Sequence, residues 1–369
     1  MAVYRIFPKN DTFISTENVL GNAGRDEIIE IGGYPDISGT GQTNRILIKY
    51  DTSEVQDIIN NVIGTASYAA SIKLYLADAS ELPTDYTLYS YPVSGTWDNG
   101  IGKFGDVPTD DTGVSWKYRQ AGQNNAWSTG SYSTGVTGSY IGTFNGGGNW
   151  YTASLGFNME FTQSHALNSS NDVNIDVTKA ISLISSGTLG NDGFIVKLQD
   201  SLEFNTTSSI QLKYYSADTN TIYPPFLEFN WDDSSYVTGS LSVLSNSTAI
   251  INLTNNKGKY VDNGKQRFRV SARPKYPVRS FTTSSAYLIN YALPSASYWG
   301  LRDENTEEMV VNFNTGSTKI SCDSQGAFFD MYMDGLQPER YYRILVKTTL
   351  DGSTTVIDNQ NIFKVVRNG

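Results

Sequence analysis

Cysteine and histidine are almost missing from this chain of 369 residues: each occurs once, as Cys322 and His165. A single cysteine excludes an internal disulfide and any cysteine-rich zinc site, so packing and hydrogen bonds must supply the stability. A single histidine leaves little general acid–base chemistry near neutral pH. Charged residues make up only 17% of the chain, below the roughly 25% of an average soluble protein. Their balance is acidic, −10 overall, which argues against a broad phosphate-binding surface. No stretch approaches the roughly 20 apolar residues of a membrane-spanning helix. The opening Met1-Ala2-Val3-Tyr4-Arg5-Ile6-Phe7 has no basic segment followed by an apolar core, so neither export nor membrane insertion is expected and intracellular assembly fits best.

What the chain does have is aromatic side chains, 12% of residues with 24 tyrosines among them, and short apolar–polar alternations punctuated by Gly, Asn, Asp, Ser and Thr. Length gives two or three domains as the prior, and this composition excludes long disorder. Ile46, Ile48 and Tyr50 alternate with Arg45 and Lys49. Ile72, Leu74 and Leu76 repeat the pattern, as do Phe194, Val196 and Leu198, then Ile210, Leu212 and Tyr214, then Leu227, Phe229 and Trp231. A period of two predicts strands with one face on a core and one in water, hence an all-β sandwich. Two short helices are expected. Ser53 caps a turn that buries Val55, Ile58, Ile59 and Val62; Asp176 caps Val177, Ala180, Ile181 and Ile184, with Gly187 as the stop.

Between Trp97 and His165 the alternation fades into a tract rich in Gly, Ser, Thr and Tyr. It holds Trp116, Trp127, Trp150 and the triplet Gly146-Gly147-Gly148. A stretch that long without strand periodicity reads as an elaborated loop insertion, at about residues 98–165, of the kind that carries function. Trp231-Asp232-Asp233-Ser234-Ser235 then ends an apolar strand in an acidic, serine-rich hinge. The boundary falls there, giving domains 1–232 and 233–369.

In the second domain Phe268, Val270 and Ala272 alternate with Arg267, Arg269, Ser271 and Arg273. Further on, Leu336-Gln337-Pro338 leads into a strand with Tyr342, Ile344 and Val346 on one face. That segment resembles the tyrosine corner of fibronectin type III and immunoglobulin-like sandwiches, where a tyrosine hydroxyl pins the turn before its strand. The resemblance implies a domain of that type with an insertion near residues 287–305. The first domain presents, in order, Asp11-Thr12-Phe13-Ile14, Asn44-Arg45-Ile46-Leu47-Ile48-Lys49-Tyr50-Asp51, Ser71-Ile72-Lys73-Leu74-Tyr75-Leu76, Thr96-Trp97, Ile175-Asp176-Val177-Thr178, Asn191-Asp192-Gly193-Phe194 and Pro224-Pro225-Phe226-Leu227-Glu228. That succession resembles the DNRLRE-type jelly-roll module, a sandwich related to carbohydrate-binding modules. Over its whole length the chain is similar to structural proteins of contractile-tailed marine phages, including cyanophages. The similarity is carried by Gly102-Lys103-Phe104-Gly105-Asp106, Gly113-Val114-Ser115-Trp116, Thr221-Ile222-Tyr223-Pro224-Pro225, Ala272-Arg273-Pro274 and Gly335-Leu336-Gln337-Pro338-Glu339-Arg340-Tyr341-Tyr342. This second resemblance implies a non-enzymatic virion component, assembled in the host cytoplasm, whose partners are other virion proteins and copies of itself. It brings no catalytic or binding residues with it.

Chemical motifs are weak. Gly100-Ile101-Gly102-Lys103-Phe104-Gly105 spells the dinucleotide fingerprint, but no strand precedes it and no helix follows, so a turn-rich loop is expected. His165 lies beside Ser164 without a nucleophile signature and reads as a solvated or partly buried loop histidine. Asp110, Asp111, Asp232 and Asp233 sit in polar loops with nothing apolar to raise one of them, and no EF-hand-type loop is present. No metal, cofactor, nucleic acid or membrane is therefore expected. The candidate contact residues are Trp116, Trp127, Trp150 and Tyr151 in the insertion, and a basic run of Arg267, Arg269 and Arg273, extended by Lys275 and Arg279, which either meets a neighbouring subunit or forms a solvated edge that its charges keep from unwanted pairing. Trp97 and Trp231 are expected in the core. The alternative function is a receptor- or glycan-binding adhesin using the insertion's tryptophans.

Overall fold

The computed structural model describes residues 2–80, 82–83, 85–127, 146–277 and 288–367, together with the backbone of 136–138. Among the described residues the protein is all-β, with sandwich-like sheets and two short α-helices. It divides into two compact units, one of residues 6–64 and 69–228, the other of residues 1–5, 65–68 and 229–369. Among the described residues no helix is long and apolar enough to cross a membrane.

The first unit is built on an eight-stranded sheet. Its strands are β1 (Asn10–Ser15), β2 (Ile28–Pro35), β3 (Gly41–Lys49), β5 (Leu76–Ser80), β6 (Asp85–Pro92), β7 (Phe161–Ala166), β9 (Phe194–Leu198) and β10 (Ile210–Tyr215). Their order is β7-β6-β9-β3-β2-β10-β5, with β1 also paired to β3. β2 meets β3 over residues 41–44 and β1 meets it over 44–49. Beside it β4 (Tyr68–Leu74) pairs with β8 (Val173–Asp176), Ile72 opposite Ile175, both fully buried.

The alternation holds, but the prediction of a solvated second face does not. In β9 every residue is buried, Ile195 and Lys197 as well as Phe194, Val196 and Leu198. In β3 burial runs from Gly41 to Ile48, and Arg45 is 0% exposed. The insertion covers this face. It also ends earlier than expected, because Phe161–Ala166 is a sheet strand with His165 opposite Tyr86.

Both helices form, with small corrections. α1 (Thr52–Asp57) is capped by Asp51, whose carboxylate accepts from the Ser53 amide, rather than by Ser53. It runs on into a π-turn at Ile58–Ile63, and the extra residue per turn brings Ile63 inward where Val62 was expected. α2 (Thr178–Ser185) buries Ala180, Ile181, Leu183 and Ile184. Asp176 accepts from the Thr178 amide at 2.9 Å, and Gly187 follows at φ 73°.

The second unit is a two-sheet sandwich. One sheet, in the order β11-β13-β17-β16, uses β11 (Ala249–Leu253), β13 (Lys265–Pro274), β16 (Ser321–Asp323) and β17 (Gly326–Tyr332). The other, in the order β12-β19-β18-β14-β15, uses β12 (Lys259–Val261), β14 (Tyr298–Asp303), β15 (Met309–Val311), β18 (Tyr341–Leu350) and β19 (Ser353–Val366). Rings from both sheets interlock in the core. Trp299 stacks on Phe329 at 5.1 Å, and Phe268 meets Phe363 at 5.8 Å. Tyr342, 2% exposed, donates its hydroxyl proton to the Gln337 carbonyl at 3.0 Å.

Candidate functional site

A group of buried polar and aromatic side chains lies where the insertion meets the second face of the large sheet. Arg45, on β3, and Lys197, on β9, project from that face and are 0% and 2% exposed. Burying two cations is unfavourable unless each is paired and hydrogen-bonded. Glu203, also buried, does this for both. Arg45 Nε and Nη2 donate to its two oxygens at 2.7 and 2.8 Å, and Lys197 Nζ lies 3.0 Å from Oε2. Lys197 also donates to Asp200 at 2.6 Å and to the Leu198 carbonyl at 3.0 Å. The third Arg45 contact reaches into the insertion, with Nη1 donating to the Gly147 carbonyl at 2.6 Å.

Aromatic rings close the box. The Arg45 guanidinium lies 4.8 Å from the Trp116 ring centroid and 5.4 Å from that of Trp150; the Lys197 ammonium is 5.9 Å from Trp150 and from Tyr89. Trp97, Trp116, Trp127 and Trp150 form one cluster with Ile14, Leu47, Tyr91, Val93, Val114 and Ile195, so the insertion roofs the sheet with tryptophan. The glycine triplet fits this roof. Gly147 sits at φ 83°, its amide bonds the Trp116 carbonyl at 2.7 Å, and a Cβ there would lie 2.6 Å from the Trp116 ring and 2.7 Å from Arg45 Nη1.

The arrangement corrects three of the contact residues. Trp116, Trp127 and Trp150 are 0%, 2% and 7% exposed, so none offers a ring face to a sugar or to a partner. They are roof rather than platform, because a Gly- and Ser-rich backbone lets the chain fold over its own aromatics. Tyr151 is half-buried beside them. Trp97 and Trp231 are core, as expected.

The basic run is corrected too. β13 does turn Arg267, Arg269 and Arg273 outward, but Arg267 is held by Asp330 through two bonds of 2.8 and 2.9 Å. Arg269 is held by Asp323 through bonds of 2.7 and 2.8 Å, and both guanidinium groups lie over Phe328. Arg269 keeps the Asp323 carboxyl below its ordinary range. Arg273 donates to the Pro274 carbonyl. Lys275 is exposed, and Arg279 lies outside the described residues. Arg267 and Arg269 are thus paired within the sheet, since their carboxylates come from β17 and β16, which a linear reading of one strand omits.

The dinucleotide-like glycines form a loop, as expected, wrapped round a residue that the sequence did not flag. Asn22, 1% exposed, donates to the Asn99 and Val114 carbonyls at 2.7 and 2.9 Å and accepts from the Gly102 amide at 2.9 Å. His165 is not in a loop. It lies on β7, 2% exposed, stacked on Tyr86 at 4.6 Å, its Nδ1 donating to the Ser170 carbonyl at 2.9 Å. Burial pushes its pKa down, against the pull of the Ser170 carbonyl and Asp172. Asp111, Asp232 and Asp233 are exposed, and Asp110 accepts from Thr112. Among the described residues no group of three or more His, Cys, Asp or Glu is placed to hold a metal ion.

A second buried carboxylate is unrelated to the box. Asp11 on β1, 5% exposed, accepts from the Ala217 amide at 2.8 Å. Burial pushes its pKa up to about 7, opposed by that amide and reinforced by Asp218. The buried Tyr50 hydroxyl is raised in turn by burial and by Asp11.

No protein-family model and no curated protein matches the chain. Among solved structures it is similar to apo β-glucuronidase 3 of Bacteroides uniformis, at 8% identity over 98% of this chain and 35% of that one, with a TM-score of 0.17. A DUF4785 family protein of Legionella pneumophila aligns at 8% identity over 97% of this chain and 65% of that one, TM-score 0.18. The β-glucuronidase of Parabacteroides merdae aligns at 10% identity over 96% and 36%, TM-score 0.16. The chain thus spans less than two thirds of each, and likenesses this slight bear on neither its fold family nor its activity.

Proposed function

We propose that this chain is a non-enzymatic structural protein of a phage virion, associated with tail, baseplate or neck, and acting through assembly contacts. In this reading the first unit is an elaborated jelly roll and the second a fibronectin III- or immunoglobulin-like sandwich. The Tyr342 bond to the Gln337 carbonyl supports the second assignment. The observation that carries the function is the insertion itself. Its tryptophans, its glycine triplet and the Arg45–Glu203–Lys197 network all go into fastening the loop to the sheet. A loop anchored this way keeps its shape, which suits a part that must fit its neighbours in many copies. Purified particles of the phage that encodes the chain test the reading. Mass spectrometry and cryo-electron microscopy should find it at one repeated tail, baseplate or neck position; its absence from washed particles overturns the proposal.

The glycan-binding alternative no longer has its tryptophans. What supports it now is an open groove lined by Glu160, Phe161, Thr162, Asp176, Thr178, Lys179 and Ser182, beside the exposed Phe157. A glycan array probed with the folded chain tests it, and a blank array removes it.

A further inference from the structure

We infer that the groove beside α2 binds an N-acetylated sugar, holding its acetamido group between the Asn174 carbonyl and the Asp176 amide. The outer edge of β8 points to this. The Val177 amide bonds the Ala70 carbonyl of β4 at 2.8 Å, so in this antiparallel ladder Val173 and Ile175 spend their backbone groups on β4, while Asp172, Asn174 and Asp176 turn theirs away from it. The first outward pair is already filled by a side-chain amide. Gln163 of β7 donates through Nε2 to the Asp172 carbonyl at 3.0 Å and accepts at Oε1 from the Asn174 amide at 2.6 Å. The next pair along the strand, the Asn174 carbonyl and the Asp176 amide, has the same spacing, and among the described residues nothing is bonded to either. Asp176 lines the groove, whose volume is about 540 Å³. A second amide laid there repeats the Gln163 contacts one step farther along the edge.

The length of the free edge selects a single amide over a peptide strand. Gln163 closes one end. The other is closed by α2, because Val177 turns back to β4 and Thr178 opens the helix with its amide on the Asp176 carboxylate. The remaining walls suit a sugar that carries the amide. Phe161 in the groove, and beside it Phe157, which is 44% exposed with Lys179 Nζ 3.4 Å from its ring centroid, offer apolar surface to a methyl group and a ring face. Glu160, Thr162 and Ser182 supply a carboxylate and two hydroxyls for the hydroxyls of the sugar.

This sugar class rests on the glycan-binding reading of the groove and makes it specific. The test titrates the purified, nitrogen-15-labelled full chain with the methyl glycosides of N-acetylglucosamine, N-acetylgalactosamine and N-acetylmannosamine, each beside its parent hexose and its free amine, and follows the amide resonances. At least one N-acetylated sugar should bind with a Kd of about 1 mM, the scale of so small a ligand. The Asp176 amide should shift with it, and the hexose and amine should bind at least about tenfold more weakly, having no amide to pair. Ser182→Trp, at an exposed position of α2 that lines the groove, should abolish binding with an unchanged melting curve, and Phe157→Ala should weaken it about tenfold. A hexose that binds as tightly as its N-acetylated form overturns the proposal and leaves the glycan reading standing. So does a glycan array that is positive while none of the N-acetylated sugars moves Asp176. N-acetylglycine methylamide binding as tightly as the sugars makes the slot a peptide site and overturns it as well; a blank array together with blank titrations removes both readings.

Discussion

Replacing Glu203 by Gln removes one negative charge from a place where two positive charges are sealed from water. Arg45 and Lys197 are 0% and 2% exposed, and Asp200, the remaining anion, has a side chain 80% exposed and pairs with Lys197. Breaking a buried pair by deleting one partner costs about 3–5 kcal/mol, because the charge left behind is uncompensated. A unit of this size loses about 2–4 °C in melting temperature per kcal/mol, so the first unit's transition should fall by about 6–20 °C. Calorimetry on the full chain separates this from the second unit, whose own core should melt where it did before. Near-ultraviolet circular dichroism, reporting on Trp116 and Trp150 against Arg45, should change with the first transition. Arg45→Met with Lys197→Met and Glu203→Leu removes the whole network and should recover most of the loss. A Glu203→Gln transition within about 2 °C of the parent would refute the reasoning, as would a shift confined to the second unit.

Asp11 makes a prediction about pH. Its folded pKa of about 7 lies above the ordinary 3.8, so the folded state holds the proton more tightly than the unfolded state. Stability from this group is fully present below about pH 4 and is lost as pH rises to about 7. Asp11→Asn, still able to accept from the Ala217 amide, should flatten that slope and stabilise the first unit by about 2–4 kcal/mol at pH 8; urea titrations at pH 5 and pH 8 that give equal differences would contradict it. In the second unit, Tyr342→Phe should cost about 1–2 kcal/mol by deleting the bond to Gln337. A fall in the second transition alone is the expected signature.

The strands were legible because alternation survives whatever covers the sheet: Phe194, Val196 and Leu198 face inward in β9 as the pattern requires. What lay on the other face was not legible. Arg45, Lys197 and Glu203 are charged residues 158 positions apart at the extremes, and in a linear reading each stands for solvent. Only the fold shows that they pair with one another beneath a roof. The sequence leaves Trp116, Trp127 and Trp150 ambiguous, since Gly- and Ser-rich surroundings are equally compatible with a contact loop and with a chain bent tightly over rings. Alternation turns the arginines of β13 outward, while Asp330 lies on the adjacent β17 and Asp323 one strand farther, on β16, positions that only the register reveals. Asn22 gave no signal, because a hub for loop carbonyls has no motif.

The roofed sheet also limits how such a gene can be shuffled. Arg45 and Gly147 are encoded about a hundred codons apart, with Lys197 and Glu203 farther still, yet they function as one unit. A crossover anywhere between them that joined halves from diverged parents would mate a floor to the wrong ceiling, so viable mosaics should inherit the stretch from Arg45 to Glu203 intact and exchange sequence outside it.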